Sequence, residues 1–123
     1  MIGYTSLGTN DLKRSAAFYD ELLSMLGASR LMEMSDFIVW GHEQNAPCFS
    51  VHVPIDGQPA CVGNGVMVAL TAANIAEVDA IHAKSLELGG ADEGKPGPRG
   101  DSGFYAGYFR DPDGNKLNLH CMG

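Results

Sequence analysis

Two stretches of the chain carry apolar residues at the three- and four-residue spacing of an amphipathic helix. The first stripe consists of Leu12, Ala16, Tyr19, Leu22, Leu23 and Leu26. The second consists of Ile75, Val78, Ile81 and Leu86, with the polar His82 and Ser85 on the same face. A short polar side chain precedes each stripe and glycine follows it, as is typical of helix starts and ends. We therefore predict two helices.

Runs of alternating or continuous apolar residues predict β-strands around these helices. They cover roughly residues 2–9, 30–34, 37–41, 48–53, 66–72, 104–110 and 116–121. The segment 94–100 is rich in glycine and proline, and we predict a loop there. In the last run Lys116, Asn118 and His120 share one face, because successive strand residues point to opposite sides.

The order of these predicted elements repeats along the chain. Asp11 and Asn74 begin the two helices and are 63 positions apart (74 − 11 = 63). Gly27 and Gly90, at the helix ends, keep the same offset (90 − 27 = 63). The N-cap residue, the apolar face and the terminal glycine of the two helices all keep this offset, which indicates an internal duplication of one β-α-β-β-β module.

Charge and cysteine content narrow the possible partners. The net charge is −7 and the eight Lys and Arg are scattered, so no basic stripe is present for nucleic acid. Cys48, Cys61 and Cys121 form no CxxC pair, which favours reduced thiols over a disulfide framework. No secretory signal or membrane-spanning run is visible. We expect a cytoplasmic protein without nucleic-acid or membrane partners.

Three segments carry a family resemblance, and together with the repeat they cover nearly the whole chain. They are NDLKRSAAFY at 10–19, DGQPACVGNG at 56–65 and FYAGYFRDPDGNK at 104–116. The layout resembles the vicinal oxygen chelate superfamily, which includes glyoxalase I, bleomycin-resistance proteins and extradiol dioxygenases.

The resemblance implies an α+β fold in one glyoxalase-like domain, 1–123. Two tandem β-α-β-β-β modules, about 1–56 and about 62–123, would form a curved, partly open eight-stranded mixed β-barrel with two main helices outside. It also implies a ligand pocket inside the barrel and assembly into a homodimer.

Metal-dependent members hold a divalent cation with residues on the first and last strands of each module. The matching positions are Tyr4, Met67 and Asn118, and the fourth, around 49–51, has no carboxylate or imidazole. A phenol, a thioether and an amide supply no formal charge for a hard dication. We expect no metal at these positions and no cofactor. A divalent metal held by other ligands, such as His52 and His120, stays an alternative.

The remaining candidates are residues of a ligand pocket. His120 is a candidate general base because imidazole titrates near neutral pH, and Tyr4 is a candidate hydrogen-bond donor to a substrate. Arg99 is a candidate contact for an anionic ligand, against a solvated loop arginine. The predicted pocket residues are Tyr4, Trp40, Phe49, His52, Met67, Arg99, Tyr105, Asn118 and His120.

Three functions are consistent with these residues. The first, which we favour, is a glyoxalase-like protein that binds a small organic molecule without the usual metal. The second is a metal-dependent lyase of the lactoylglutathione lyase kind, an isomerase or a dioxygenase with substituted ligands. The third is a non-catalytic protein that binds a drug or a metabolite. Whether the protein is an enzyme stays open at this point.

Overall fold

The computed structural model describes every residue, Met1–Gly123. The chain forms two compact units, Met1–Val62 and Gly63–Gly123, here called module 1 and module 2. Each module contains one α-helix and four strands in the order β-α-β-β-β. The predicted α+β fold with tandem modules is thereby confirmed.

Module 1 is a mixed four-stranded sheet with one helix. Its elements are β1 (Tyr4–Gly8), α1 (Leu12–Ser24), β2 (Ser29–Glu33), β3 (Phe37–Gly41) and β4 (Cys48–His52). The strand order is β1-β4-β3-β2. β1 and β4 run parallel, whereas β4, β3 and β2 are joined by antiparallel pairing.

Module 2 has the same topology. Its elements are β5 (Val68–Thr71), α2 (Ile75–Glu87), β6 (Ala91–Pro98), β7 (Phe104–Arg110) and β8 (Lys116–Met122). The strand order is β5-β8-β7-β6, with β5 parallel to β8 and the other pairs antiparallel. No helix in either module is long and apolar enough to span a membrane.

Both helices begin at the predicted capping residues. The Asp11 carboxylate accepts from the amide of Arg14 at 3.0 Å, and the Asn74 side chain accepts from the amide of Glu77 at 2.9 Å. The Glu77 carboxylate in turn accepts from the amide of Ala73 at 3.0 Å, one residue before the usual capping-box position. The bonds to Asp11 and Asn74 satisfy amides that the first helical turn leaves unpaired.

The helix ends follow the repeat less strictly than the starts. The left-handed conformation occurs at Gly27, with φ of 78°, and at Gly89, with φ of 102°. The predicted equivalence of Gly27 with Gly90 is therefore off by one residue. At Gly90 a Cβ atom would lie 2.7 Å from the carbonyl oxygens of Ser85 and Arg110, so close packing requires glycine there.

The predicted loop at 94–100 is wrong, because most of it belongs to β6. This strand pairs with β7 from Ala91 opposite Arg110 to Pro98 opposite Tyr105. Its pairing register shifts at Gly94, and β6 lies at the edge of the sheet. Proline and glycine are tolerated at an edge and at irregular positions, where a missing amide or side chain breaks no central ladder.

The aromatic core of module 1 lies between its sheet and α1. The ring of Tyr19 is 4.7 Å from that of Phe49 and 5.7 Å from that of Trp40, centroid to centroid. At the equivalent position of α2, the buried His82 has its Nε2 3.0 Å from the carbonyl oxygen of Tyr108 and 3.2 Å from the Asp92 carboxylate. His82 is thus a packed core histidine.

The turn between β7 and β8 is organised by the buried carboxylate of Asp111. Its Oδ1 accepts from the amides of Asp113 and Asn115, both at 2.9 Å, and its Oδ2 accepts from the side chain of Asn115 at 3.0 Å. Gly114 has φ of 90°, as the left-handed position of the turn requires. The turn fixes how β7 and β8 pair.

Candidate functional site

The open face of module 1 is the face of its sheet opposite α1. Alternation along β4 directs Phe49 and Val51 into the core, whereas Cys48, Ser50 and His52 point to the open face. A hollow of about 760 Å³ lies against this face. Its apolar lining consists of Met32, Phe37, Val39, Val53 and Ile55. Its polar lining consists of Tyr4, Ser6, Asp36, Gln44, Cys48, Ser50 and His52.

A serine and a histidine form a hydrogen-bonded pair in this hollow. The distance between Ser6 Oγ and His52 Nδ1 is 2.6 Å. The pair is possible because β1 and β4 run parallel with Gly8 opposite His52, so residue 6 lies diagonally across on the same face. The neighbouring Ser50 differs, since its hydroxyl donates to the carbonyl of Thr5 at 2.8 Å.

Tyr4 lies in the same hollow but is largely exposed. Its relative exposure is 67%, and its neighbour across the parallel pair is Cys48. The Cys48 thiol lies 3.2 Å from the carbonyl oxygen of Ala46, to which it donates. Tyr4 and His52, two of the predicted pocket residues, therefore share one cavity within module 1.

Trp40 and Phe49 do not lie on the open face, contrary to the prediction that they line a pocket. Trp40 is 1% exposed and its indole Nε1 donates to the Asp20 carboxylate at 2.9 Å. Asp20 also receives a two-pronged hydrogen bond from Arg30, at 2.7 and 2.8 Å. Arg30 lowers the pKa of Asp20, burial opposes this, and Trp40 lowers it further. These groups fasten α1 to the sheet.

Module 2 contains a second imidazole on the corresponding face. His120 Nδ1 lies 3.1 Å from the side-chain oxygen of Asn118, and the His120 ring stacks on Phe104 with centroids 5.4 Å apart and planes at 29°. Asn118 is 2% exposed and pairs across the sheet with Tyr108. The predicted candidates Asn118 and His120 thus contact each other directly.

Tyr105 and Arg99 are engaged elsewhere than predicted. The Tyr105 hydroxyl donates to the Asp79 carboxylate of α2 at 2.6 Å, and this bond raises the pKa of Tyr105, helped by partial burial. Tyr105 therefore faces the helix. The Arg99 guanidinium donates to the carbonyls of Lys95 and Gly97, at 2.7 and 3.0 Å, and lies 5.4 Å from the Tyr108 ring centre.

Met67 immediately precedes β5 and is 39% exposed. Tyr4 and His52 belong to module 1, whereas Met67, Arg99, Asn118 and His120 belong to module 2. Their predicted convergence on one barrel pocket stays a prediction.

The strand registers extend the internal repeat to the two histidines. Gly8 lies opposite His52 in the β1–β4 pair, and Thr71 lies opposite His120 in the β5–β8 pair. Gly8 and Thr71 are 63 positions apart (71 − 8 = 63), which is the repeat offset. His52 and His120 are therefore equivalent positions. By the same registers Ser50 is equivalent to Asn118.

The residues at the family's metal positions do not fit a hard dication. No group of three or more His, Cys, Asp or Glu side chains lies close enough together to hold a metal ion. The donors at the matching positions are the Tyr4 phenol, the Met67 thioether, the Asn118 amide and, by the registers above, the Ser50 hydroxyl. Such neutral oxygen and sulfur donors leave the charge of a divalent cation uncompensated.

Sequence reasoning missed Ser6. It lies two residues after Tyr4 and therefore on the same strand face, which the alternation rule could have shown. Its partner was harder to find, because the pairing of β1 with β4 joins residues 46 positions apart.

Comparison with known proteins places this chain in one superfamily. Residues 1–119 match the model of the glyoxalase/bleomycin resistance protein/dioxygenase superfamily. The chain is 36% identical to a glyoxalase/bleomycin resistance protein from Albidiferax ferrireducens T118, with a TM-score of 0.88, covering 98% of this chain and 97% of that one.

Two more distant structures share the fold. A glyoxalase-related enzyme from Fulvimarina pelagi is 20% identical, with a TM-score of 0.74 and coverage of 98% and 86% of the two chains. A lactoylglutathione lyase from Agrobacterium tumefaciens is 22% identical, with a TM-score of 0.70 and coverage of 98% and 92%. A search of curated proteins found no significant match. The chain belongs to the glyoxalase/bleomycin resistance protein/dioxygenase superfamily, the vicinal oxygen chelate proteins.

Proposed function

We propose that this protein binds a small organic molecule in the hollow on the open face of module 1, without a divalent metal at the family's ligand positions. The hollow itself carries the proposal. Its volume of about 760 Å³ is within the range of small-molecule sites, and its lining combines apolar surface with a few hydrogen-bonding groups.

The lining favours an uncharged ligand. No Lys or Arg side chain lines the hollow, and Asp36 is its only carboxylate. An anion would gain no compensating charge on leaving water. Tyr4, Ser6 and His52 instead offer a phenol, a hydroxyl and an imidazole, which can exchange hydrogen bonds with a carbonyl or hydroxyl group of the ligand.

The metal-free part of the proposal follows from ligand chemistry. The metal acts in this family as a Lewis acid, and a hard dication needs charged oxygen or imidazole donors to stay bound. The four matching positions supply none of these.

Binding in the hollow can be tested with Nile red, a neutral apolar fluorophore. Val39→Glu places a carboxylate in the middle of β3 on the open face, and we expect at least about tenfold weaker binding, since burying an unpaired charge is costly. Leu86→Glu, on the partly exposed surface of α2, is the matched control and should bind as the unaltered protein does. If Val39→Glu bound Nile red as tightly as the unaltered protein, the hollow would be excluded as the binding site.

The expected absence of a bound divalent metal is tested by a separate measurement. Elemental analysis of untagged protein and thermal unfolding with and without a chelator should give substoichiometric metal and one melting temperature. Stoichiometric metal with chelator sensitivity would instead favour a metal-dependent lyase, isomerase or dioxygenase. The predicted homodimer is checked in the same preparation by light scattering.

A further inference from the structure

We propose that Ser6 and His52 form a nucleophile and general-base pair that cleaves small uncharged esters with good leaving groups. This inference rests on the proposed function, because the ester would occupy the same hollow. It assigns an acyl-transfer activity to module 1 that requires no metal.

The sheet brings the two groups together on rigid elements. Ser6 and His52 lie on adjacent parallel strands, and Ser6 Oγ is 2.6 Å from His52 Nδ1. Residue 8, directly opposite His52, is glycine, so Ser6 is the β1 residue whose side chain contacts the imidazole. A nucleophile within hydrogen-bond reach of a base is the geometric requirement for covalent catalysis.

The environment of Ser6 differs from that of the other serine in the hollow. The Ser50 hydroxyl donates to the backbone carbonyl of Thr5 and is 3% exposed as a residue. Ser6 is exposed, and the imidazole is the hydrogen-bond partner of its hydroxyl. An incoming carbonyl group can therefore reach Ser6 Oγ but not Ser50 Oγ.

The reaction balances with an ester and water alone. With the ring proton on Nε2, His52 Nδ1 accepts the proton of Ser6 as Oγ bonds to the ester carbonyl carbon. The bond to the leaving oxygen then breaks, and the leaving group takes that proton from Nδ1. Water, deprotonated by Nδ1, then attacks the acyl carbon and the bond to Ser6 Oγ breaks. Oγ takes the proton back from Nδ1, which releases the acid and restores the Ser6 hydroxyl and the neutral imidazole.

The pair lacks a carboxylate on the imidazole, which limits the substrates. No carboxylate is hydrogen-bonded to His52, whose partner is Ser6. A carboxylate partner in hydrolase triads orients the imidazole and stabilises its charged form. We therefore expect cleavage of phenyl esters, whose leaving groups need little protonation, rather than of amides.

Covalent labelling with an alkyl fluorophosphonate tests the nucleophile. Ser6 Oγ displaces fluoride, and the intact protein gains one phosphonyl group, which peptide mapping should place on Ser6. We expect Ser6→Ala to abolish labelling and His52→Gln to slow it at least about 100-fold, the scale of general-base assistance. Ser24→Ala is the control, because its hydroxyl donates to a helix carbonyl on α1, and it should label at the unaltered rate.

Turnover of p-nitrophenyl acetate provides a second readout. We expect Ser6→Ala to abolish this turnover and His52→Gln to slow it at least about 100-fold. Trp40 emission checks that each variant is folded. Labelling confined to Tyr4 or Ser50 would contradict the assignment of Ser6 as the nucleophile. Equal rates of labelling and turnover for His52→Gln and the unaltered protein would contradict the assignment of His52 as the base.

The two proposals fail separately. Absent labelling in a protein that binds Nile red, with Val39→Glu weakening that binding, would remove the Ser6–His52 activity and leave the ligand site. Labelling of Ser6 in a protein that does not bind Nile red would remove the apolar ligand site and support the nucleophile.

Discussion

His52 and His120 occupy equivalent positions of the two modules, yet their Nδ1 atoms have different partners. The oxygen of the Asn118 side chain can only accept a hydrogen bond, so this contact requires a proton on His120 Nδ1. The Ser6 hydroxyl can donate, which allows His52 the opposite tautomer. The duplicated backbone fixes where an imidazole lies, and one neighbouring residue sets its chemistry.

The same contrast occurs on the helices. Tyr19 in α1 and His82 in α2 are equivalent by the repeat offset (82 − 19 = 63) and are both buried. Tyr19 packs among aromatic rings, whereas His82 bonds to a carbonyl and a carboxylate. Module 1 is thus held at this position by apolar packing and module 2 by polar contacts.

Among these substitutions, loss of the Tyr19 ring from the core of module 1 should lower the free energy of unfolding most. Tyr19→Ala would leave a cavity beside Trp40 and Phe49, and we expect a loss of about 3–5 kcal/mol in the free energy of unfolding. Urea unfolding followed by the emission of Trp40, the only tryptophan, reports on module 1. A loss below about 1 kcal/mol would mean that the core refills the space.

Loss of the polar contacts of His82 should lower the free energy of unfolding by a smaller amount. His82→Leu keeps the apolar volume but leaves the carbonyl of Tyr108 without its hydrogen bond, at a cost of about 1–3 kcal/mol. Far-UV circular dichroism during urea unfolding measures this loss. His82→Gln, which retains a side-chain N–H, is the control and should lose less. An equal loss for both variants would show that packing, not the hydrogen bond, matters here.

The tautomer difference is itself measurable. Imidazole nitrogen NMR at alkaline pH should show the proton of His120 on Nδ1 and that of His52 on Nε2. Asn118→Leu removes the acceptor, worth about 0.5–1.5 kcal/mol, and should shift His120 towards the Nε2 tautomer without altering His52. Identical tautomers for both histidines in the unaltered protein would contradict the comparison.

The smallest effect is expected at the ion pair of α1. The pKa of Asp20 lies below its ordinary value of 3.8, so the folded state favours the carboxylate. Its stabilisation is therefore complete at neutral pH and is lost as pH falls below 3.8 and through the lowered value. Because the Asp20 side chain is 41% exposed, Asp20→Asn should cost no more than about 1 kcal/mol at pH 7. Urea unfolding at pH 7 and pH 3 measures the difference, which should shrink at the lower pH; a constant difference would argue against the ion pair.

Much of the fold was predictable because local rules decide it. The caps Asp11 and Asn74 and the apolar stripes specify both helices, and the shared offset specifies the modules. The edge strand β6 was not predictable from propensity, because glycine and proline ordinarily indicate a loop. Its strand conformation depends on pairing with β7, which is tertiary information.

The site was only partly predictable. Alternation and family position predicted Tyr4, His52, Asn118 and His120. The first two line the hollow of module 1, and the last two contact each other in module 2. Trp40 was misplaced because the alternation of an isolated strand does not say which face meets the helix. The partners of the histidines depended on side-chain geometry, which spacing alone leaves undetermined.

The hydrogen bonds of the Asp111 carboxylate set the register in which β8 pairs with β7. By holding the turn at a fixed length, it determines that Leu117 and Leu119 enter the core while Asn118 and His120 point away from it. Deleting one residue between Asp111 and Lys116 would exchange these two sets, since strand side chains alternate. A single substitution on the open face of β8 changes the groups presented there and leaves the core contacts of Leu117 and Leu119 in place. A change in the length of the turn would instead move every side chain of β8 to the opposite face of the sheet.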